Sequence, residues 1–119
     1  MTERDEQKVL AQWLDLIGVL WCHVPNEARR SYRLAASLRA QGLKAGVPDV
    51  LIFSPPPNRQ ACPAIGCAVE LKAASGRTEI SDCQLAWIEA LRAVGWHAFV
   101  AHGADDAIRR LQRAGYGQR

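Results

Sequence analysis

The sequence lacks the features of a membrane-spanning or secreted chain. No stretch of its 119 residues approaches the roughly 18 consecutive apolar positions that a transmembrane helix requires. The segment from Met1 to Glu6 carries three acidic side chains, whereas a secretory signal peptide begins with positive charge. We therefore expect a cytoplasmic protein.

Paired cysteines and glycine-rich nucleotide-binding loops are also missing. The four cysteines, Cys22, Cys62, Cys67 and Cys83, show neither Cys-x-x-Cys spacing nor a downstream histidine pair. Reduced thiols that mostly fill the core are the preferred interpretation; a structural zinc site, or a bridge between Cys62 and Cys67, is the alternative. Without a Gly-x-Gly-x-x-Gly or Walker loop, a nucleotide-cofactor enzyme is set aside.

The composition is that of a folded globular protein. Hydrophobic residues make up 49% of the chain and charged residues 23%, which argues against disorder. We find no internal repeat, low-complexity tract or linker, so we expect a single domain over residues 1–119. The formal net charge of +3 permits a polyanionic partner without requiring one.

Hydrophobic periodicity predicts eight elements in the order helix, strand, helix, strand, strand, helix, strand, helix. The helices are expected near residues 3–18, 31–41, 81–94 and 104–114, and the strands near 19–24, 46–53, 66–72 and 96–101. This order predicts an α/β fold in which helices cover both sides of a mixed sheet. The second and third strands are expected to form an antiparallel hairpin.

Three charged residues lie at the ends of two short apolar strands, where a charge is costly unless it has a partner. Glu70 and Lys72 are two positions apart and therefore share one face of a strand. If the neighbouring strand lies alongside, Asp49 reaches the same point. Two carboxylates and a substrate phosphate suit Mg²⁺ or Mn²⁺. Lys72 would then position or deprotonate the attacking water, or stabilise charge on the phosphate.

Several cations are candidates for contact with a nucleic-acid backbone. Arg29, Arg30 and Arg33 fall within five positions, and the planar guanidinium fork suits phosphate. Lys44 and Arg77 lie on turns that flank the carboxylates. The alternative is that the arginines form a solvated charged face.

Pro48-Asp49 followed by Glu70-Leu71-Lys72 resembles the signature of the PD-(D/E)xK nucleases, and the wider pattern resembles their VRR-NUC branch. The resemblance also rests on the following flanking residues and segments: Glu6, His23 to Glu27, Gly42 to Asp49, Gly76, and Ser81 through Gln84 to Trp87. It implies a restriction-endonuclease-like core and an endonuclease that uses Mg²⁺ or Mn²⁺ to hydrolyse phosphodiester bonds in DNA, leaving a 5′-phosphate.

The resemblance further implies roles for individual residues. It adds Glu6, on the first helix, to the metal ligands Asp49 and Glu70, it makes Lys72 catalytic, and it places Gln84, followed by Trp87, beside the metal site as a further catalytic residue. Asn26 and Glu27 match a family motif near the site, and His23 is expected to pack nearby rather than to act as a ligand.

Two of these assignments have structural alternatives. Glu6 would also fit as a solvated first-turn glutamate that the helix dipole favours. Gln84 lies three residues after Ser81, which is the spacing of a capping box at a helix start.

The resemblance also implies partners. It implies a homodimer acting on branched DNA, four-way junctions above all, in the cytoplasm of a bacterium or a phage-infected host. The competing hypothesis is a non-catalytic nucleic-acid-binding or assembly module that keeps the same fold.

Overall fold

The computed structural model describes residues 1–25, 32–75 and 79–118. Its helices are α1 (Glu3–Ile17), α2 (Tyr32–Ala40), α3 (Asp82–Ala93) and α4 (Ala104–Arg113), and its strands are β1 (Trp21–His23), β2 (Val50–Ile52), β3 (Cys67–Lys72) and β4 (His97–His102). The order of these elements is the predicted one. None of the described helices has the length and apolar character needed to cross a membrane.

The strands form one mixed sheet in the order β1-β2-β3-β4. β2 pairs antiparallel with both β1 and β3, while β4 pairs parallel with β3. The predicted α/β fold with a mixed, helix-flanked sheet is thereby confirmed, and so is the hairpin that joins β2 to β3. Within the parallel pair, Cys67 lies opposite His97 and Lys72 lies opposite His102.

The core has two parts because side chains alternate across the sheet. α1 and α4 pack on one face over the larger part, to which α1 contributes the buried Leu10 and Leu14. α3 packs on the other face, chiefly over β3 and β4, where Ile88 meets Ala68 and Ala98. β3 is covered on both faces, which explains why its apolar residues run almost without interruption.

The four cysteines are free thiols, but they do not share one environment. Cys67 is buried, and this burial raises the pKa of its thiol far above the ordinary value. Cys62 is half-buried, whereas Cys22 and Cys83 are exposed. The expectation of thiols that mostly fill the core is therefore wrong for Cys22 and Cys83. Cys22 lies opposite Leu51, on the sheet face that α3 covers chiefly over β3 and β4.

The turn before Asp49 approaches α3 so closely that only glycine fits at position 46. Gly46 has φ 88°, and a Cβ there would lie 2.5 Å from the backbone carbon of Cys83. Gly42 has a similarly positive φ of 112° but no atom within 4 Å of such a Cβ. A side chain at position 42 would therefore suffer backbone strain alone, whereas one at position 46 would also clash with Cys83.

We predict that Gly46→Ala destabilises the protein more than Gly42→Ala. The positive φ costs an alanine about 1–2 kcal/mol at either site, and the clash with Cys83 adds about 1–3 kcal/mol at position 46 alone. Urea denaturation of both variants measures the difference. Equal losses of unfolding free energy would contradict the close packing of this turn against α3.

Candidate functional site

Asp49 lies immediately before β2 and is fixed by hydrogen bonds from two other strands. Its carbonyl accepts from the backbone N–H of Val24 at 2.8 Å and from Nδ1 of His23 at 2.8 Å. Its carboxylate Oδ2 accepts from the backbone N–H of Leu71 in β3 at 2.7 Å. Both the backbone and the side chain of Asp49 are thus held in one orientation. His23 packs at the site, as the sequence predicted.

Glu70 is the buried acidic group of the site. It is only 2% exposed, and its Oε1 has no hydrogen-bond partner among the described residues. Burial, then hydrogen bonding to Asp49 and the charge of Asp49, raise the pKa of Glu70 to about 9, while Lys72 acts in the opposite direction. Two neighbouring carboxyl groups cannot both ionise readily without a cation.

Lys72 lies on the same face of β3 as Glu70, and its side chain points toward the start of α3. Its Nζ donates to Oε1 of Gln84 at 3.1 Å. The same Oε1 accepts from the backbone N–H of Ser81 at 3.0 Å, while Oγ of Ser81 accepts from the backbone N–H of Gln84 at 3.1 Å. The predicted capping box is confirmed, and Gln84 also contacts Lys72. Helix capping and a position at the site are therefore compatible.

Asp49, Glu70 and Gln84 line a cavity of about 360 Å³ at one end of the sheet. Its walls come from α1, from the end of β1, from the β2–β3 hairpin and from α3. The lining residues are Glu3, Arg4, Gln7, His23, Pro25, Asp49, Glu70, Leu71 and Gln84. Lys72 is not among them and is connected to the cavity through Gln84.

The structure excludes one of the two positions expected for Glu6, the solvated first turn. Glu6, Leu10 and Leu14 form the buried stripe of α1, at intervals of four residues. Glu6 is only 4% exposed, so it is not a solvated first-turn glutamate, and it does not line the cavity. Its Oε2 would lie 2.5 Å from a Cβ at Gly103, at the start of α4. The same Cβ would lie 2.8 Å from that of Ala74, so this carboxylate lies near both the start of α4 and the segment that follows β3.

Glu3 and Gln7 are the residues beside the buried stripe of α1 that reach the cavity. They are one helical turn apart on a neighbouring stripe of α1, and both line the cavity together with Arg4. The charge of Glu3 also contributes to the raised pKa of Glu70. The sequence offered one signal for this: Glu3 and Gln7 are four residues apart, so they share one face of α1 beside the buried stripe.

The predicted backbone-binding cations do not form part of this cavity in the described structure. Arg33 and Lys44 are exposed and do not line it. The remaining predicted residues lie outside the described part of the chain: Arg29, Arg30, Arg77, Asn26 and Glu27.

The donors present fit a hard divalent cation that takes part of its coordination from solvent and substrate. Among the described residues, no three His, Cys, Asp or Glu side chains are grouped to hold a metal ion. Asp49 and Glu70 nevertheless converge, and the buried Oε1 of Glu70 has no other partner within that part of the chain. Mg²⁺ commonly binds one or two carboxylates and completes its shell with water and phosphate oxygens.

A helix-flanked mixed sheet with two carboxylates and a lysine at one end agrees with a nuclease-type protein. The VRR-NUC domain family model matches residues 1–105, so the chain belongs to the VRR-NUC domain family. A solved structure described as a VRR_NUC domain protein is 26% identical, covers 99% of this chain and 92% of its own, and superposes with a TM-score of 0.78. No curated protein matches the chain.

The family and fold therefore confirm the resemblance, and they agree with a restriction-endonuclease-like α/β core. The class implies nuclease activity with DNA as substrate. Nucleases of this family generally depend on divalent metal ions.

We predict that Glu70→Gln stabilises the metal-free protein increasingly as pH rises. The folded-state pKa of Glu70 is raised to about 9 from 4.5, so between these values the folded state binds more protons than the unfolded state. Stability of the native chain therefore falls with rising pH in this range, and a glutamine removes that slope. We expect a gain of about 1–3 kcal/mol near pH 8, the usual cost of an unsatisfied buried group.

Urea denaturation in EDTA at about pH 5 and about pH 8 tests this slope. Glu89→Gln, at an exposed position of α3, is the matched control and should change neither value. A Glu70→Gln effect that is the same at both pH values would show that Glu70 does not titrate in the expected range.

Proposed function

We propose that this protein is a metal-dependent DNA endonuclease in which Asp49 and Glu70 hold Mg²⁺ or Mn²⁺ and Lys72 acts on the scissile phosphate. The observation that carries the proposal is the convergence of the two carboxylates, with Oε1 of Glu70 buried and unpaired within the described chain. A buried carboxylate without a partner is costly, and a divalent cation would supply one.

The side chains divide the task according to their contacts. A bound divalent cation would neutralise negative charge on the phosphate and lower the pKa of an attacking water. Asp49 presents a carboxylate whose orientation the N–H of Leu71 fixes. Glu70 loses its proton when the cation binds, so metal affinity rises with pH.

Lys72 brings a positive charge to the edge of the cavity, held there by the amide oxygen of Gln84. From this position it stabilises charge that develops on the phosphate, or orients the attacking water. Because the same amide oxygen closes the cap of α3, any shift of that helix start also displaces Lys72.

We predict that Lys72→Ala lowers the rate of DNA hydrolysis by about 10²–10³-fold, the usual effect of removing one group that stabilises transition-state charge. Labelled junction, flap, duplex and single-stranded DNA are incubated with Mg²⁺, with Mn²⁺ or with EDTA. Lys8→Ala removes an exposed lysine of α1 and should leave the rate unchanged. Cleavage at the native rate by Lys72→Ala would refute the role of Lys72.

The same panel separates the endonuclease from the non-catalytic alternative. Binding of DNA without cleavage in either metal would favour a binding or assembly module. Cleavage in Mg²⁺ or Mn²⁺ that EDTA abolishes would favour the endonuclease, since the two neighbouring carboxylates of Asp49 and Glu70 then have a chemical function.

We further propose that the protein acts on branched DNA as a homodimer. The described part of the chain contributes one pair of carboxylates at a cavity, and two-fold pairing would supply a second for the opposite strand. The sheet offers an apolar surface for a second copy where α3 leaves β1 and β2 less covered. Leu20 is 68% exposed there, and the neighbouring Phe53 is 44% exposed.

The placement of this surface follows from the strand register. The N–H of Phe53 donates to the carbonyl of Leu20 at 2.7 Å, which continues the antiparallel pairing of β1 with β2. Leu51 and Phe53 are two residues apart and therefore share one face of the sheet. Leu51 belongs to the cluster under α3, and so does Trp96, whose ring meets that of Phe53 edge to face. An isologous dimer pairs this patch with itself.

We predict that Leu20→Glu converts the dimer to a monomer, because it places a charge at the centre of an apolar contact. Leu16→Glu is the matched control, since Leu16 is 84% exposed on α1, and it should remain dimeric. Sedimentation velocity measures both. A native protein that is monomeric throughout the accessible concentration range would remove the dimer proposal while leaving the nuclease proposal intact.

A further inference from the structure

A second and larger cavity, of about 820 Å³, lies at the opposite end of the β3–β4 pair. His97 lines it and stands opposite Cys67, whereas Lys72 stands opposite His102 at the other end of the same ladder. Cys67 and Glu70 are three residues apart along β3, roughly 10 Å at about 3.3 Å per residue, and the two cavities share no lining residue. The cavity is therefore separate from the one that Asp49 and Glu70 line.

Positive charge dominates this second cavity, and none of its lining residues carries a carboxylate. Arg92 comes from α3, Arg110 and Arg113 come from α4, and His97 comes from β4. The remaining wall is mainly apolar and includes Trp96 and Phe99 together with Cys62 and Ala114. A few convergent polar groups on an apolar wall are typical of a small-ligand site.

Two of the arginines are already oriented by contacts within the protein. Nε of Arg92 donates to the carbonyl of Ala98 at 2.8 Å. The guanidinium of Arg110 lies 5.4 Å from the centre of the Phe99 ring, and its Nε is 3.3 Å from Asp106 Oδ1. The polar contacts with Ala98 and Asp106 both use Nε, which leaves the terminal guanidinium nitrogens for a ligand. Ordering these side chains on binding therefore costs little further entropy.

Arg113 is exposed, and it differs from the other two arginines because it forms neither an ion pair nor a hydrogen bond within the described chain. By contrast, Arg109 on the same helix lies outside the cavity, is 66% exposed, and is 3.9 Å from Asp106. The two arginines provide a matched pair of substitutions on one helix.

The positive charges in this cavity act on one another. Burial, then the charges of Arg92 and Arg110, lower the pKa of His97. Cys62 on the loop before β3 also faces the cavity, and Asp106 on α4 offsets part of the charge of Arg110. A bound anion would favour protonated His97, so anion binding and the pKa of His97 are linked.

We propose that this cavity binds a nucleotide unit, with its phosphate on Arg92, Arg110 and Arg113 and its base against the apolar wall. The volume lies within the range of about 300–1,000 Å³ that is usual for small-ligand sites. Guanidinium groups suit phosphate oxygens through paired hydrogen bonds. The nucleotide unit comes either as a free nucleotide or as part of a DNA strand. The proposal is independent of the nuclease site, because this binding uses neither Asp49 nor Glu70.

The test is an NMR titration of the full chain in EDTA, which prevents hydrolysis at the other cavity. Inorganic phosphate, adenosine 5′-monophosphate, adenosine and a short single-stranded oligonucleotide are added separately at millimolar concentration. The signals followed are the Trp96 indole N–H and the His97 ring, whose pKa is measured with and without ligand. Arg113→Gln and Arg109→Gln are titrated in parallel, and their native spectra establish that both fold.

We expect the nucleotide to shift both signals, to raise the pKa of His97, and to bind more tightly than adenosine. Loss of one charge-assisted contact should weaken binding to Arg113→Gln about tenfold, with no change for Arg109→Gln. If the free nucleotide behaves this way, the source is a small ligand; if only the oligonucleotide does, the source is a DNA strand. Absence of shifts with every ligand, or equal weakening by both variants, would overturn the proposal.

Discussion

The hydrogen bond from the Leu71 N–H to the Asp49 carboxylate determines where the candidate active site forms. The β2–β3 ladder has its last pair at Val50 and Val69, so no β2 carbonyl continues the ladder to Leu71. Asp49 Oδ2 accepts this N–H at 2.7 Å instead. A carboxylate thus satisfies a backbone donor at the end of the hairpin, and in doing so it lies beside Glu70.

The same arrangement places a functional group where it opposes stability. Glu70 lies within a strand that helices cover on both faces, and its Oε1 gains no hydrogen bond from the described chain. The surrounding apolar core tolerates this cost. A ligand that binds only the folded protein returns stability by mass action, so a cation at Glu70 would couple metal binding to folding.

Strand periodicity explains why much of the site was predictable from the sequence. Residues two apart in a strand always share a face, so the sequence alone predicts that Glu70 and Lys72 lie on the same side of the sheet. The Ser81–Gln84 spacing likewise predicts where α3 begins. Helical positions are harder, because each residue turns the side chain by about 100°. Whether Glu3 or Glu6 faces the cavity depends on how α1 lies on the sheet, and that orientation is set by packing with α4. Exposure of Cys22 likewise depends on how far α3 extends over the sheet.

The small formal net charge of +3 conceals a strong separation of charge along the sheet. At one end of β3, Asp49 and Glu70 require a cation before a phosphate can approach. At the other end, Arg92, Arg110 and Arg113 present positive charge that already favours an anion. Both ends belong to the same parallel pair of strands, β3 and β4. The positive charge gathers at one end because the last turns of α3 and α4, which carry the arginines, lie there. Net charge is therefore a weak guide to how this protein meets a polyanion, since the two cavities present local charge of opposite sign.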